Sequence, residues 1–360
     1  MAQISRRTLI KGAGALATAA MIGKPALAAD KIKVGFIFLG PIGDYGWTWA
    51  HNKGRLAIDA ALGDKVETIY TENVAEDASA VGAIRDLANA GCKLIFTTSY
   101  GYMDQTIQVA GEFPDVKFEH CTGFKRADNV ATYNSKFHEG RAVLGTIAGK
   151  MSKSGKLGYL GSYKVPEVVL GVNAFALAAQ KQNPAATVKL VLIDSWFDPP
   201  KEAAATETLV SLGCDIVTTH TDSPGPLQIL EQKGLFGFGQ GADMSQFAPT
   251  AHLTAIEDIW GPYYVSRAQA IVDGKWASMD TWDGFKEGTV VISPYNKAVP
   301  ADVAALADGV QAGYKAGTYN IFTGPIYAQD GTLKVKEGEV MADADLATLD
   351  WFVKGVESAS

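Results

Sequence analysis

Short apolar runs alternate with longer amphipathic stretches along residues 32–219. Runs without polar alternation predict strands that are buried on both faces, whereas apolar residues spaced three and four apart predict helices. The predicted strands are residues 32–39, 66–70, 94–98, 116–120, 156–160, 188–193 and 216–219. The predicted helices are residues 47–62, 78–90, 102–112, 139–151, 168–182 and 201–212. This alternation indicates the α/β class, in which helices cover both faces of parallel sheets.

The alternation forms two successive series, and the second begins near residue 150. A chain of 360 residues is also longer than a single hydrophobic core usually organises. We therefore predict two similar, doubly wound α/β lobes. In such folds ligands bind beyond the carboxyl ends of the strands, so the residues that follow each strand are the candidates for a site.

The first 28 residues have the composition of an export signal. Arg6 and Arg7 precede an apolar run of small residues, and residues 25–28 end in an Ala-x-Ala pattern that suits signal peptidase. These features predict a twin-arginine signal that is cleaved after Ala28. The alternative, an N-terminal helix of the folded domain, would require a polar and apolar periodicity that this segment lacks. We expect a periplasmic product without a lipid anchor, because no cysteine lies near the cleavage site.

Acidic residues exceed basic ones, 39 to 32, and the formal net charge is −7. The predicted leader contains basic residues and no acid, so its removal makes the product more acidic still. Such a charge argues against nucleic acid and anionic lipid as partners. Cys92, Cys121 and Cys214 each lie in or beside an apolar run, where a buried thiol is the usual state. One disulfide among them stays open as an alternative.

Aromatic and acidic residues follow predicted strands in both halves of the chain. The candidate ligand-binding residues are Asp44, Trp47 and Tyr100 in the first half, and Trp196, Asp222, Asp243 and Glu257 in the second. Each also has a structural interpretation, since a lone tryptophan is usually well buried and an acid after a strand often caps a helix or lies in solvent. The pairing of Trp47 with Trp196 favours the ligand-binding interpretation. Two indoles from opposite lobes form a slot for a flat ring, and stacking of a base on one aromatic contributes about 1–3 kcal/mol.

Motifs of enzymes are missing from the sequence. There is no Gly-x-Ser-x-Gly elbow and no Walker loop, and the five histidines form no His-x-x-x-His pair. Residues 237–242 fit the dinucleotide fingerprint only nominally, because the segment after them does not resemble a helix N-terminus. We therefore predict a binding protein without a catalytic centre, cofactor or metal ion.

Several short segments, in order along the chain, resemble the basic membrane protein (BMP) family of ABC-transporter solute receptors. They are residues 43–47 (GDYGW), 113–118 (FPDVKF), 139–141 (EGR), 150–158 (KMSKSGKLG), 195–199 (SWFDP) and 261–264 (GPYY). The resemblance implies the type I periplasmic-binding-protein fold, with ligand in the cleft between two lobes that three crossovers join. It also implies an inner-membrane ABC permease as partner and closure of the lobes over the ligand. We expect the receptor to be a monomer.

The same resemblance implies lobe boundaries. The N-terminal lobe would contain residues 29–150 plus about 281–325, and the C-terminal lobe residues 151–280 plus about 326–360. The hinge crossings would lie near residues 150, 280 and 325.

Characterised members of that family bind purine nucleosides or other flat heteroaromatic molecules. Nucleoside-binding members hold the ribose with an acid and a lysine, and the corresponding positions here are Gly241 and Asp258. An acid near the base corresponds to Thr122. We therefore expect a free purine base such as adenine rather than a nucleoside, although a shift of two residues would align Asp243 with the missing acid. A periplasmic ligand sensor and a nucleoside-processing enzyme remain the alternatives.

Overall fold

The computed structural model describes residues 31–358, so the predicted signal segment lies outside the described residues. The strands are β1 (Ile32–Ile37), β2 (Val66–Thr71), β3 (Cys92–Thr97), β4 (Lys117–Cys121), β5 (Val130–Ser135), β6 (Lys156–Gly161), β7 (Thr187–Leu192), β8 (Ile216–Thr219), β9 (Phe236–Gly241), β10 (His252–Asp258), β11 (Asp280–Asp283), β12 (Val290–Ile292), β13 (Ile326–Tyr327), β14 (Leu333–Val335) and β15 (Val356–Ser358). The α-helices are α1 (Gly46–Leu62), α2 (Ala80–Asn89), α3 (Met103–Glu112), α4 (Phe137–Met151), α5 (Pro166–Gln182), α6 (Pro199–Ser211), α7 (Gly225–Lys233), α8 (Gly261–Val272), α9 (Ala301–Ala316) and α10 (Asp343–Leu346).

The first sheet has the strand order β11-β5-β4-β3-β1-β2, and all of its strands pair in parallel. Val34 and Phe36 of β1 are fully buried beneath helix α8, whose Tyr264 belongs to the same cluster together with Trp260 just before the helix. Helices α2 and α3 cover the opposite face. This two-sided burial is the physical reason for the uninterrupted apolar runs in the sequence.

The second sheet has the order β12-β10-β9-β8-β6-β7-β15, in which β12 is antiparallel and the other pairs are parallel. Helices α4 and α5 pack closely on one face of this sheet. A Cβ atom at Gly145 would lie 2.3 Å from the Phe175 carbonyl oxygen, and one at Gly149 would lie 2.4 Å from that of Ala179. Glycine at these positions therefore lets the two helix backbones touch. Helices α6 and α7 cover the other face, so the predicted α/β class with parallel sheets is confirmed.

The chain passes between the two sheets in three short segments. Residue 136 joins β5 to α4, residues 259–260 join β10 to α8, and residues 284–289 join β11 to β12. The crossing expected near residue 280 lies a few residues from segment 284–289, whereas those expected near residues 150 and 325 have no counterpart among these segments. Helix α4 packs on the second sheet before residue 150, β11 pairs with β5 of the first sheet, and α9 contributes to the core of the second sheet.

All three cysteines are free and buried. Within residues 31–358, no helix combines the length and the apolar composition that crossing a bilayer requires.

Candidate ligand-binding site

A small cavity of about 30 Å³ lies at the carboxyl ends of both sheets. The residues that line it from the first sheet are Leu39, Trp47, Ser99, Tyr100 and Thr122, and those from the second sheet are Glu167, Trp196, His220, Asp222 and Gln240. Most lie at the end of a strand or in the loop after it, where doubly wound folds bind ligands, and Trp47 and Glu167 lie in the first turn of the helix that follows.

Two larger spaces that are open to solvent adjoin this cavity. The outer chamber, about 540 Å³, is lined by Glu76, Tyr163 and Phe197 among others. The hinge-side chamber, about 120 Å³, is lined by residues near the crossings, including Asn134 and Trp282.

Trp47 enters the cavity from the first turn of α1. Its indole Nε1 donates a hydrogen bond to the Thr98 carbonyl oxygen at 2.6 Å, and its ring meets that of His51 edge to face, with centroids 4.4 Å apart. Its backbone N–H donates to Asp222 Oδ1 at 3.2 Å, which links the first sheet to the second. Gly46 precedes it with a φ of +75°, and a Cβ there would lie 3.3 Å from Asp222 Cβ, so glycine permits this approach.

Trp196 enters from the opposite sheet, between β7 and α6. Its indole Nε1 donates to Glu76 Oε2 at 2.9 Å. The other oxygen of Glu76 accepts hydrogen bonds from Ser99 Oγ and from the Gly101 backbone N–H. Glu76 belongs to the first sheet's loops, so this contact also bridges the cleft and fixes the orientation of the Trp196 ring.

Three carboxyl groups lie on or behind the cavity wall. Burial raises the pKa of Asp222 to about 7. Burial also raises the pKa of Glu167 to about 7 against the opposing effect of the Arg141 guanidinium. Asp258 is 1% exposed, neither of its oxygens has a hydrogen-bond partner among residues 31–358, and burial raises its pKa to about 7 as well. These groups therefore change protonation near neutral pH.

Arg141 of α4 is fully buried behind this wall. Its guanidinium donates to Thr218 Oγ1 at 2.6 Å, to the Thr219 carbonyl oxygen at 2.7 Å, and to Gln240 Oε1. It thereby fixes the ends of β8 and β9 relative to each other. Among residues 31–358, no group of three His, Cys, Asp or Glu side chains is arranged to hold a metal ion.

Four of the seven predicted site residues lie on the cavity wall, namely Trp47, Tyr100, Trp196 and Asp222. The other three do not. Asp44 is exposed, and Asp243 accepts a hydrogen bond from the Ser245 backbone N–H. Glu257 accepts from Ser293 Oγ at 2.7 Å instead. Successive side chains of a strand point to opposite faces, so it is the next residue in β10, Asp258, that faces the buried groups.

The structure adds wall residues that the sequence did not single out as ligand-binding, namely Leu39, Ser99, Thr122, Glu167, His220 and Gln240. Most of them lie within two residues of a strand end, so a stricter use of the strand-end rule would have included them. Thr122 has a φ of +63°, a strained value for a β-branched residue, and such strain is concentrated at functional sites. Glu167 gave no signal of this kind, because it lies in the first turn of α5, where an acid is common.

The arrangement of the wall suits a flat, largely apolar ring. Two indoles provide the apolar surface, and carboxyl groups are available for donors on the edge of the ring.

Comparisons with known proteins bear on this site. The model of a family described as ABC transporter substrate-binding protein, PnrA-like, matches residues 31–311. The chain is 52% identical over 337 residues to a purine-binding protein of Brucella abortus, and the match covers 94% of this chain and 96% of the relative. A protein of Haloferax volcanii, described as a candidate glucose-binding protein of an ABC transporter, is 32% identical over 274 residues, which cover 76% of this chain and 70% of the relative. The solved structure of an ABC transporter solute-binding protein from Aeropyrum pernix covers 79% of this chain and 92% of its own, with a TM-score of 0.71 at 16% identity, which is a likeness of fold.

Proposed function

This chain belongs to the Bmp family of PnrA-like ABC transporter substrate-binding proteins and has their type I periplasmic-binding-protein fold, and from this premise we propose that it binds a purine ring in its cavity. The observation that carries the proposal is the placement of Trp47 and Trp196, which line one cavity from opposite sheets. The Brucella relative, named a purine-binding protein, supports the same ligand class. In this proposal the protein delivers its ligand to a membrane permease and has no catalytic role.

We propose further that the ligand is the free base, adenine by preference. The position expected for a ribose-binding acid is Gly241, where a Cβ would lie 3.2 Å from the Gly46 backbone carbon. The position expected for a lysine is the buried acid Asp258. Thr122, which corresponds to an acid near the base, donates its hydroxyl to the Cys121 carbonyl oxygen at 2.7 Å. These positions offer no ribose clamp, while the surfaces for the ring are retained.

Competition calorimetry with adenine and adenosine tests this proposal. We expect adenine to bind at least tenfold more tightly than adenosine. The cavity offers no acid and no lysine at the positions that would hold the ribose. Mass spectrometry of whatever small molecule co-purifies with the protein provides an independent test of ligand class. Tighter binding of adenosine would contradict the preference for the base, and would direct attention to the hinge-side chamber, where Asn134 and Asp280 offer polar groups. Absence of binding by both would contradict the purine proposal.

We also propose that each sheet with its covering helices forms one lobe, and that residue 136 and segments 259–260 and 284–289 form the hinge. Closure would bring Trp47 to Asp222 and Trp196 to Glu76, because these two hydrogen bonds connect the sheets beside the cavity. The permease would then recognise the closed form. Export to the periplasm through the twin-arginine route belongs to the same proposal.

A further inference from the structure

Most polar groups of the cavity wall already form hydrogen bonds within the protein, and Glu167 does not. The ring N–H groups of both cavity tryptophans and the hydroxyls of Ser99 and Thr122 all donate to protein oxygens. Gln240 Oε1 accepts from Arg141. Glu167, by contrast, makes no hydrogen bond to any residue in the described part of the chain, although only 17% of its side chain is exposed. A largely buried carboxyl group without a protein partner loses hydration that a hydrogen bond from a ligand would replace.

Glu167 is placed where a ligand in the cavity would meet it. It is part of the wall of the cavity and also of the hinge-side chamber, so it lies at the boundary between the two. One of its oxygens is 3.7 Å from His220 Nε2, which is beyond hydrogen-bond distance. The other ring nitrogen of His220 pairs with Tyr159 Oη at 3.0 Å, and burial keeps the pKa of this histidine well below its usual value. The imidazole is therefore neutral and does not compensate the carboxyl group.

We propose that Glu167 determines specificity by pairing, as a neutral carboxylic acid, with a ring edge that carries one N–H donor beside one acceptor nitrogen. This inference rests on the proposed function, and it names the edge of the purine that the protein recognises. A neutral carboxyl group offers a carbonyl oxygen that accepts and a hydroxyl that donates. The amino group and the adjacent ring nitrogen of adenine are complementary to that pair. An ionised carboxylate only accepts, and it would repel the lone pair of the ring nitrogen.

The surroundings of Glu167 make its neutral form accessible near physiological pH. The charged and titratable groups that face it are Arg141 from α4, Tyr159 from β6, His220 after β8, Asp258 from β10 and Cys121 at the end of β4. Arg141 favours the ionised form, and burial outweighs it, so the pKa is raised to about 7. The carboxyl group is therefore protonated below that pH and loses its proton as the pH rises through it. If only the protonated form binds, adenine affinity falls about tenfold between pH 6 and pH 8.

Calorimetry with adenine at pH 6, 7 and 8 tests the proposal on the full chain and three variants. Glu167→Gln presents one acceptor and one donor without titrating, so the pH dependence of its affinity should disappear. Glu167→Leu fills similar space with neither group, and it should bind at least tenfold more weakly at every pH. Glu207→Gln is the matched control, because Glu207 is on α6, pairs with Lys233 at 2.8 Å and is half exposed. This variant should follow the wild type.

Two outcomes would overturn the role of Glu167 while leaving purine binding intact. One is a wild-type affinity for adenine that does not change between pH 6 and pH 8. The other is a Glu167→Gln variant whose adenine affinity depends on pH as in the wild type. That result would mean that Asp222 or Asp258 is the group that titrates. A wild-type protein that binds no purine at any pH would overturn the proposed function itself and this inference with it. The change of adenine affinity with pH in Glu167→Gln decides the question even if Glu167→Leu fails to fold.

Discussion

The indole of Trp196 is held in place by one group from each sheet. Its N–H donates to Glu76, and its ring meets that of Tyr163 edge to face with centroids 5.5 Å apart. The contact with Tyr163 does not depend on closure, so it restricts the ring before a ligand arrives and less side-chain entropy is lost on binding. At the scale of single residues, a large share of the affinity should therefore come from this ring.

Replacing Trp196 with alanine should lower affinity for the ligand at least tenfold, because stacking on one aromatic contributes about 1–3 kcal/mol. The melting temperature of the unliganded protein should change little, since Trp196 is only half-buried. Calorimetry and thermal melts measure the two quantities. Trp351→Ala is a matched control, because Trp351 packs on the same hydrophobic cluster away from the cavity. Equal affinity in Trp196→Ala and wild type, or a large loss of stability without ligand, would identify Trp196 as a core residue.

Helix α8 follows β10 of the second sheet but packs on the first, and a buried ion pair holds it there. Glu119 of β4 is fully buried and accepts hydrogen bonds from Arg267, from Tyr263 Oη at 2.7 Å and from Trp276 Nε1 at 2.6 Å. Its three donors all come from α8 or from the segment that follows it. At the scale of elements, this network anchors the second crossing on the first sheet.

Glu119→Gln should lower the free energy of unfolding by about 3–5 kcal/mol, because it leaves the Arg267 guanidinium buried without its counter-charge. Urea denaturation measures the loss. Glu112→Gln provides the control, since Glu112 pairs with Arg85 at the surface and such pairs contribute about 0–1 kcal/mol. Similar losses in the two variants would show that the buried pair does not anchor α8.

At the scale of the whole molecule, the proposed function requires export. Changing Arg6 and Arg7 together to lysine should leave the precursor in the cytoplasm, because the twin-arginine pair is the recognised feature of such signals. Cell fractionation followed by immunoblotting measures the distribution. Lys11→Arg, which keeps the pair, should reach the periplasm normally. Normal periplasmic amounts of the double variant would mean that another route exports the protein.

The elements up to residue 219 were largely predictable, since each predicted strand and helix there corresponds to an observed one with bounds that differ by a few residues. Strand β5 was missed because its sequence, VATYNS, mixes polar and apolar residues. Its position between β4 and β11 buries Thr132 and Ser135 as well, while Asn134 stays partly exposed. Local periodicity reports burial only where the buried side chains are apolar.

The sequence by itself determined the α/β class and the placement of Trp47 and Trp196 on one cavity, because both follow from local periodicity and from the rule for the ends of parallel strands. The tertiary structure alone decided three other features. It placed helix α8 on the first sheet, it turned Asp258 rather than Glu257 toward the buried groups, and it left Glu167 without a partner on the cavity wall. Each depends on packing and strand pairing between residues that are distant in the chain, and no local pattern of residues encodes such contacts.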